Sequence, residues 1–147
     1  MPPYHIAGMA ALCSPIYAGR KIVQLPNFRA QDWIRLARDE RVSQAFVVPT
    51  MLGRILDELG DDGRDALPHL RALAYGGGKL PLPVLERAMR VLPHVAFTQA
   101  YGLTETVSGD TFLDRDSLIT KLGSVGRPCL HLELDVWDEE GRSVGPG

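Results

Sequence analysis

The chain has 147 residues, of which 45% are hydrophobic and 23% charged, a composition that suits a globular domain or part of one and argues against disorder. Its formal net charge of −2 means that there is no excess of positive charge to attract the phosphates of a nucleic acid, so we expect no nucleic-acid partner. No apolar run is long enough to cross a bilayer, no secretory signal opens the chain, and the two cysteines lack CxxC spacing, so we predict no transmembrane segment and a reduced, cytoplasmic setting.

Helical and extended patterns alternate along the chain, which predicts an α/β fold, a layered structure built on a largely parallel sheet. Apolar residues predict a buried helix over 6–18, an amphipathic helix over 31–39, a helix from Pro49 to Leu59 and a helix opened by Pro81 and Pro83. A compact apolar run predicts a strand at 45–48, and further extended segments are predicted at 21–25, 71–75 and 95–99. The charged stretch 61–65 is predicted to be a surface loop.

The character of the sequence changes near residue 115. Residues 133–138 alternate charged and apolar side chains, the period of a half-exposed strand, and a turn follows at 140–141. We therefore predict a partial α/β subdomain over 1–115 and the beginning of a β-rich subdomain over 116–147. Neither end has the partner strand that its backbone groups would need, so we expect the sequence to be part of a longer protein.

Three consecutive glycines, Gly76-Gly77-Gly78, lie between a predicted strand and a proline-opened helix. Glycines let a ligand approach the backbone closely, although a tight turn that needs positive φ explains them equally well. A Walker loop would need Ser or Thr where Leu80 stands, and a dinucleotide fingerprint would need glycine where Pro81 stands. Both of these nucleotide-binding patterns are therefore excluded.

A second polar turn, Gln99-Ala100-Tyr101-Gly102-Leu103-Thr104-Glu105-Thr106, follows the next predicted strand. In open α/β sheets, ligands collect at the carboxyl ends of strands. Tyr101 offers a flat face for a base, Thr104 a hydroxyl for a phosphate, and Glu105 a hard oxygen ligand for Mg²⁺. Two such turns at successive strand ends favour a ligand site over a polar loop with a buried tyrosine.

The segment Tyr101-Gly102-Leu103-Thr104-Glu105-Thr106 resembles the signature of the AMP-forming, adenylate-forming enzymes, which include acyl-CoA synthetases, luciferases and nonribosomal adenylation domains. Other segments resemble further motifs of this superfamily in the expected order, at 3–8, 46–52, 76–78 and 123–128. The resemblance covers essentially the whole chain. It implies an internal fragment of the large N-terminal domain, with residues 123–128 at the entry to a small barrel-like subdomain.

The resemblance implies roles for both turns. Gly76, Gly77 and Gly78 would line the adenine and acyl pocket. Tyr101 would stack on adenine, and Gln99 would lie near the adenine amino group. Thr104 and Glu105 would be the catalytic residues, with Thr104 on the α-phosphate and Glu105 holding Mg²⁺. The full set implied to bind nucleotide at the second turn is Gln99, Ala100, Tyr101, Gly102, Leu103 and Thr104.

The histidines receive different interpretations. By the same resemblance, His5 and Gly8 would belong to the channel for the acyl group and coenzyme A, with His5 acting as a gate. His69, His94 and His131 have no ligand spacing to one another, and we interpret each as structural or solvated.

The reaction implied by the resemblance joins a carboxylic acid to AMP and then transfers the acyl group to a thiol. We predict a ligase that uses ATP, Mg²⁺ and coenzyme A and acts on a small-molecule carboxylic acid, with a hydrophobic or fatty acid favoured. Two alternatives stay open: an adenylation domain that loads a carrier protein, and a truncated relative that binds nucleotide without catalysis. The phosphate loop and the lysine-bearing C-terminal domain of the superfamily have no counterpart here, so we expect these 147 residues alone to be inactive.

Overall fold

A computed structural model of the chain describes residues 3–61, 63–107, 109–130 and 132–145. Its helices are α1 (Ile6–Tyr17), α2 (Ala30–Asp39), α3 (Pro49–Leu59), α4 (Gly63–Ala66) and α5 (Leu82–Val91). Its strands are β1 (Gln44–Val47), β2 (Ala72–Gly76), β3 (Ala96–Tyr101), β4 (Thr111–Leu113) and β5 (Arg127–Pro128). The α/β prediction is confirmed. Helices α2 and α3 and the first three strands begin and end within two residues of the predicted bounds, and α5 begins between the two prolines that were predicted to open it.

The five strands form one sheet in the order β1-β2-β3-β4-β5. Strands β1, β2 and β3 are parallel, and their register pairs Val47 with Tyr75 and Tyr75 with Gln99. Strand β4 runs antiparallel to β3, and β5 antiparallel to β4. The predicted parallel sheet is therefore confirmed for β1 to β3, whose carboxyl ends lie together. Neither antiparallel strand was predicted at its position, although β5 lies within residues 116–147, which were expected to begin a β-rich subdomain.

Helices α3 and α5 connect the parallel strands. Each has a proline in its first turn, where a backbone N–H would have no helical partner, and α3 stops at Gly60, whose φ is +58°. Helix α3 contacts both α2 and α5. Because parallel crossovers are right-handed, both connecting helices lie on the same face of the sheet. The buried residues of α3 follow helical spacing: Leu52, Ile55, Leu56 and Leu59.

Alternate residues of the strands face this helical layer. Val47, Leu73 and Phe97 are fully buried, and each such side chain contributes about 1.5–3 kcal/mol of transfer free energy. Strand side chains alternate between faces with a period of two, so their sequence neighbours point the other way. That opposite face is only half-buried at the register-paired residues Phe46, Ala74 and Thr98.

The helix predicted over residues 6–18 forms as α1, but the prediction that it is buried is wrong. Gly8 is the one buried residue in α1, while Ile16 and Tyr17 are 67% and 96% exposed. Among the described residues, α1 contributes nothing to the buried apolar cluster. An apolar composition does not by itself determine whether other elements pack against a helix and bury it. No described helix combines the length and apolar character needed to cross a membrane.

Three further local predictions differ from the structure. Residues 21–25 form no strand. Helix α4 replaces part of the predicted loop at 61–65, and its Gly63 is buried so closely that a Cβ there would lie 2.4 Å from Val91 Cγ1. The strand predicted at 133–138 is reduced to an isolated antiparallel bridge between Trp137 and Ser143, since too few residues pair to form a ladder. His131 lies outside the described residues.

Candidate functional site

Strand β2 ends in a turn where the backbone leaves no room for a side chain. Gly76 pairs in register with Ala100 of β3. A Cβ at Gly76 would lie 2.5 Å from the Ala100 carbonyl oxygen and 3.3 Å from Phe46 Cζ. Gly77 follows with φ of +76°, which glycine adopts without steric strain. Gly76 is therefore required by the close approach of two strands, and Gly77 by the turn conformation.

The same turn is open on the side that faces the end of β1. A Cβ at Gly77 would lie 3.6 Å from Val48 Cγ1, and one at Gly78 would lie 3.9 Å from Pro49 Cγ, both ordinary contacts. Gly77, Gly78 and Lys79 are exposed. The turn therefore offers accessible backbone at the carboxyl ends of parallel strands, where ligands bind in open α/β sheets.

The Tyr101 segment leaves the sheet beside this glycine turn. Tyr101, the last residue of β3, is 42% exposed. Gly102 is half-buried, and the residues that follow it, Leu103, Thr104 and Glu105, are exposed. Because Gly76 and Ala100 are register partners, the structure brings the two predicted turns to the same end of the sheet.

The side chains at this end of the sheet fit one kind of metal site. Glu105 is exposed, and no group of three or more His, Cys, Asp or Glu that could hold a metal occurs among the described residues. Mg²⁺ at nucleotide sites takes one or two carboxylates and completes its shell with phosphate oxygens and water. Glu105 therefore fits a magnesium–nucleotide complex and does not fit a cation held by protein ligands alone.

Behind the glycine turn, two side chains link the sheet to residues beyond β4. Tyr75 is 1% exposed, and its hydroxyl donates to Gln99 Oε1 at 3.4 Å. Gln99 Nε2 donates to the Ser124 carbonyl oxygen at 3.1 Å. Burial raises the pKa of Tyr75 from 10.0 to about 12, because the phenolate would lose its hydration. Gln99 uses its amide for protein contacts here, and its role beside adenine stays a prediction.

Hydrogen bonds that were not predicted from the sequence close the loop after β3. The Thr106 hydroxyl accepts from the Leu103 N–H at 3.2 Å and donates to the Asp110 carboxylate. The Val107 N–H donates to the Thr104 carbonyl at 3.1 Å, and Val107 has φ of +74°. This conformation is rare for a β-branched residue and costs about 1–3 kcal/mol. The sequence feature that could have indicated these hydrogen bonds is the spacing of Thr106 and Asp110, to which no function was assigned.

His5 is the N-cap residue of α1, and Gly8 lies within that helix. His5 is exposed and caps the helix, since its Nδ1 accepts from the Ala7 N–H at 3.2 Å. Their assignment to an acyl channel stays a prediction. His94 fits its structural interpretation, because its Nε2 lies 3.1 Å from the Leu67 carbonyl oxygen.

The sequence matches a family described as AMP-binding enzyme over residues 1–147. The chain is 34% identical to a 2-succinylbenzoate–CoA ligase of Bacillus licheniformis, over 100% of this chain and 29% of that protein. It is also 34% identical to the ligase of the same name from Bacillus cereus, over 99% of this chain and 29% of that protein. The chain thus spans less than a third of the length of these curated relatives.

Solved structures share the architecture. The unliganded O-succinylbenzoate coenzyme A synthetase of Bacillus subtilis matches with a TM-score of 0.87 and 29% identity, over 99% of this chain and 31% of that chain. The same enzyme has been solved with ATP and magnesium ion. A fatty acyl CoA synthetase of Mycobacterium tuberculosis matches with a TM-score of 0.84 and 24% identity, over 97% of this chain and 28% of that chain, a likeness of fold alone. With a family match over its whole length, this chain belongs to the AMP-binding enzymes.

Proposed function

We propose that this chain forms part of the nucleotide-binding site of an ATP-dependent carboxylic acid:coenzyme A ligase. The pairing of Gly76 with Ala100 carries the proposal, because it sets the glycine turn beside the Tyr101 segment at the carboxyl ends of parallel strands. Membership of the AMP-binding family and the names of the relatives, which are coenzyme A ligases, support the same reaction. Since the chain spans less than a third of those relatives, the activity is proposed for the complete protein.

In this proposal, the two turns bind ATP from two sides. The exposed ring of Tyr101 stacks on adenine, and the accessible backbone of Gly77 and Gly78 lies against the nucleotide and the acyl group. The Thr104 hydroxyl donates to the α-phosphate, and the Glu105 carboxylate holds Mg²⁺. Bound there, Mg²⁺ would stabilise negative charge on the phosphate oxygens when a carboxylate oxygen of the acid substrate bonds to the α-phosphorus of ATP and the bond from that phosphorus to pyrophosphate breaks.

The acyl substrate is proposed to be a hydrophobic carboxylic acid. The relatives at 34% identity are named for 2-succinylbenzoate, which carries an aromatic ring, and this supports an aromatic acid. The fatty acyl CoA synthetase is similar at only 24% identity, so its likeness supports the fold rather than the substrate. A fatty acid is therefore the second candidate.

Acid-dependent ATP–pyrophosphate exchange by the complete protein tests the proposal. The panel contains 2-succinylbenzoate, benzoate and saturated fatty acids of several lengths, and thioester formation with coenzyme A is then followed for the best acid. Glu105→Gln removes the charge that holds Mg²⁺, and we expect exchange to fall at least about 100-fold. Glu86→Gln, at an exposed position on α5, is the matched control and should exchange like the unmodified protein.

Three outcomes would contradict the proposal in distinguishable ways. Equal exchange by Glu105→Gln and Glu86→Gln would remove Glu105 from the metal site. Transfer to a phosphopantetheinylated carrier protein but not to free coenzyme A would identify an adenylation domain that loads a carrier. Nucleotide binding without exchange for any acid would identify a non-catalytic relative.

A further inference from the structure

Asp110 is held on both sides by backbone hydrogen bonds. Its N–H donates to the Tyr101 carbonyl oxygen at 2.7 Å, and its carbonyl oxygen accepts from the Cys129 N–H at 2.8 Å. Cys129 Sγ also donates to the carbonyl oxygen of Gly109 at 3.3 Å. These contacts fix the Asp110 backbone at the base of the loop that leaves β3, so its carboxylate is an acceptor in a defined place.

The Thr106 hydroxyl connects that carboxylate to the other side of the loop. It accepts from the Leu103 N–H at 3.2 Å and lies within donor distance of both the Leu103 carbonyl oxygen, at 3.2 Å, and Asp110 Oδ2. A hydroxyl has one hydrogen to donate, and a charged acceptor binds it more strongly than a carbonyl. Thr106 therefore donates to Asp110 while it accepts from Leu103.

Thr104 and Glu105 lie inside the segment closed by this pair of bonds. Neither residue belongs to a helix or strand, and both are exposed, so regular structure and core packing do not orient them. The left-handed φ of Val107 makes the local turn unfavourable by itself. The hydrogen bonds of Thr106 to Leu103 and Asp110 stabilise that turn, which contains Thr104 and Glu105.

We propose that Asp110, acting through Thr106, is a positioning residue that orients Thr104 and Glu105 toward the magnesium–nucleotide complex. The inference rests on the proposed function, because it gives those two residues the roles assigned above. Asp110 and Thr106 do not touch the nucleotide in this proposal. Their contribution is to hold the metal-binding carboxylate in the geometry that Mg²⁺ requires.

The test compares Thr106→Val, Thr106→Ser and Asp110→Asn in the complete protein. Valine keeps the shape of threonine without its hydroxyl, and we expect the Mg²⁺ concentration for half-maximal exchange to rise about tenfold and kcat to fall about 10–100-fold. Thr106→Ser restores the hydroxyl, so its Mg²⁺ concentration for half-maximal exchange and its kcat should both lie close to those of the unmodified protein. Asp110→Asn keeps an oxygen acceptor without the charge and should give an intermediate result. Thr120→Val, at an exposed position, is the matched control.

A second measurement separates this inference from the proposed ligase activity. Calorimetric titration with ATP, in Mg²⁺ and in EDTA, measures how much the metal strengthens nucleotide binding. We expect the unmodified protein to bind ATP more tightly with Mg²⁺, and Thr106→Val to lose that difference, whether or not the protein shows exchange. Variants with lower thermal midpoints but an unchanged effect of Mg²⁺ would reduce Thr106 and Asp110 to a structural role and overturn the inference.

Discussion

Replacement of Gly76 by alanine tests whether close approach of β2 and β3 shapes the glycine turn. The added Cβ would lie 2.5 Å from the Ala100 carbonyl oxygen, closer than the 3.0 Å below which real Cβ atoms essentially never occur. The obstructing atom belongs to the backbone of the paired strand, so no flexible side chain can move aside. The two strand ends must therefore separate by about half an ångström or the turn must rotate.

Overpacking of this kind costs about 1–3 kcal/mol, and we expect Gly76→Ala to lower the free energy of unfolding by that amount. The matched control is Gly53→Ala in α3. A Cβ at Gly53 would meet no atom within 4 Å. Alanine is favoured over glycine in a helix interior by about 0.8–1.0 kcal/mol, so this variant should gain stability. The same replacement of glycine by alanine is therefore expected to lower the free energy of unfolding at Gly76 and to raise it at Gly53.

The unfolding of both variants in urea is monitored by far-UV circular dichroism. Their midpoint urea concentrations are converted into free energies with one common value for the dependence of the unfolding free energy on urea concentration. AMP affinity, measured by calorimetry, should fall for Gly76→Ala and stay unchanged for Gly53→Ala, because only the first distorts the proposed nucleotide site. If the unfolding free energy of Gly76→Ala lies within about 0.5 kcal/mol of that of the unmodified protein while Gly53→Ala shows its expected gain, β2 and β3 do not approach this closely.

Three further predictions use the same unfolding assay. The folded-state pKa of Tyr75, about 12 against an ordinary 10.0, means that the folded protein keeps a proton that the unfolded chain loses. The free energy of unfolding should therefore fall by about 2–3 kcal/mol between about pH 10 and 12, and this fall should be absent in Tyr75→Phe. The prediction is refuted if the unfolding free energies of Tyr75→Phe and the unmodified protein change in parallel over this pH range. Val107→Gly relieves a left-handed φ at a residue that is 71% exposed, so it should be at least as stable as the unmodified protein, whereas a loss above about 1 kcal/mol would mean that the strain is absent. Gly126→Ala places a Cβ 2.0 Å from the Phe112 carbonyl oxygen at φ of +93°, and it should destabilise at least as much as Gly76→Ala; a smaller loss would show that β4 and β5 do not pair this closely.

Much of the α/β layer could be predicted because its signals are local. Helix α3 has a proline in its first turn, a glycine at its end and apolar residues at helical spacing between them, and the structure follows those bounds. Strands β2 and β3 are short extended segments bounded by turns, and the two polar turns follow directly from their ends. The sequence therefore determined which residues lie at the carboxyl end of the parallel sheet.

The remaining features depend on backbone pairing and packing between different segments of the chain. Strand β5 has two residues and exists because Gly126 lets its backbone pass against Phe112, a contact that no local pattern encodes. The exposure of α1 depends on whether a covering surface is present, which composition does not report. The contact of Thr106 with Asp110 depends on how the backbone of Asp110 pairs with Tyr101. The sequence by itself determined α2, α3, the three parallel strands and the family signature. The tertiary structure decided strand pairing, burial and the geometry of the loop, because these arise from backbone hydrogen bonds and packing across the fold.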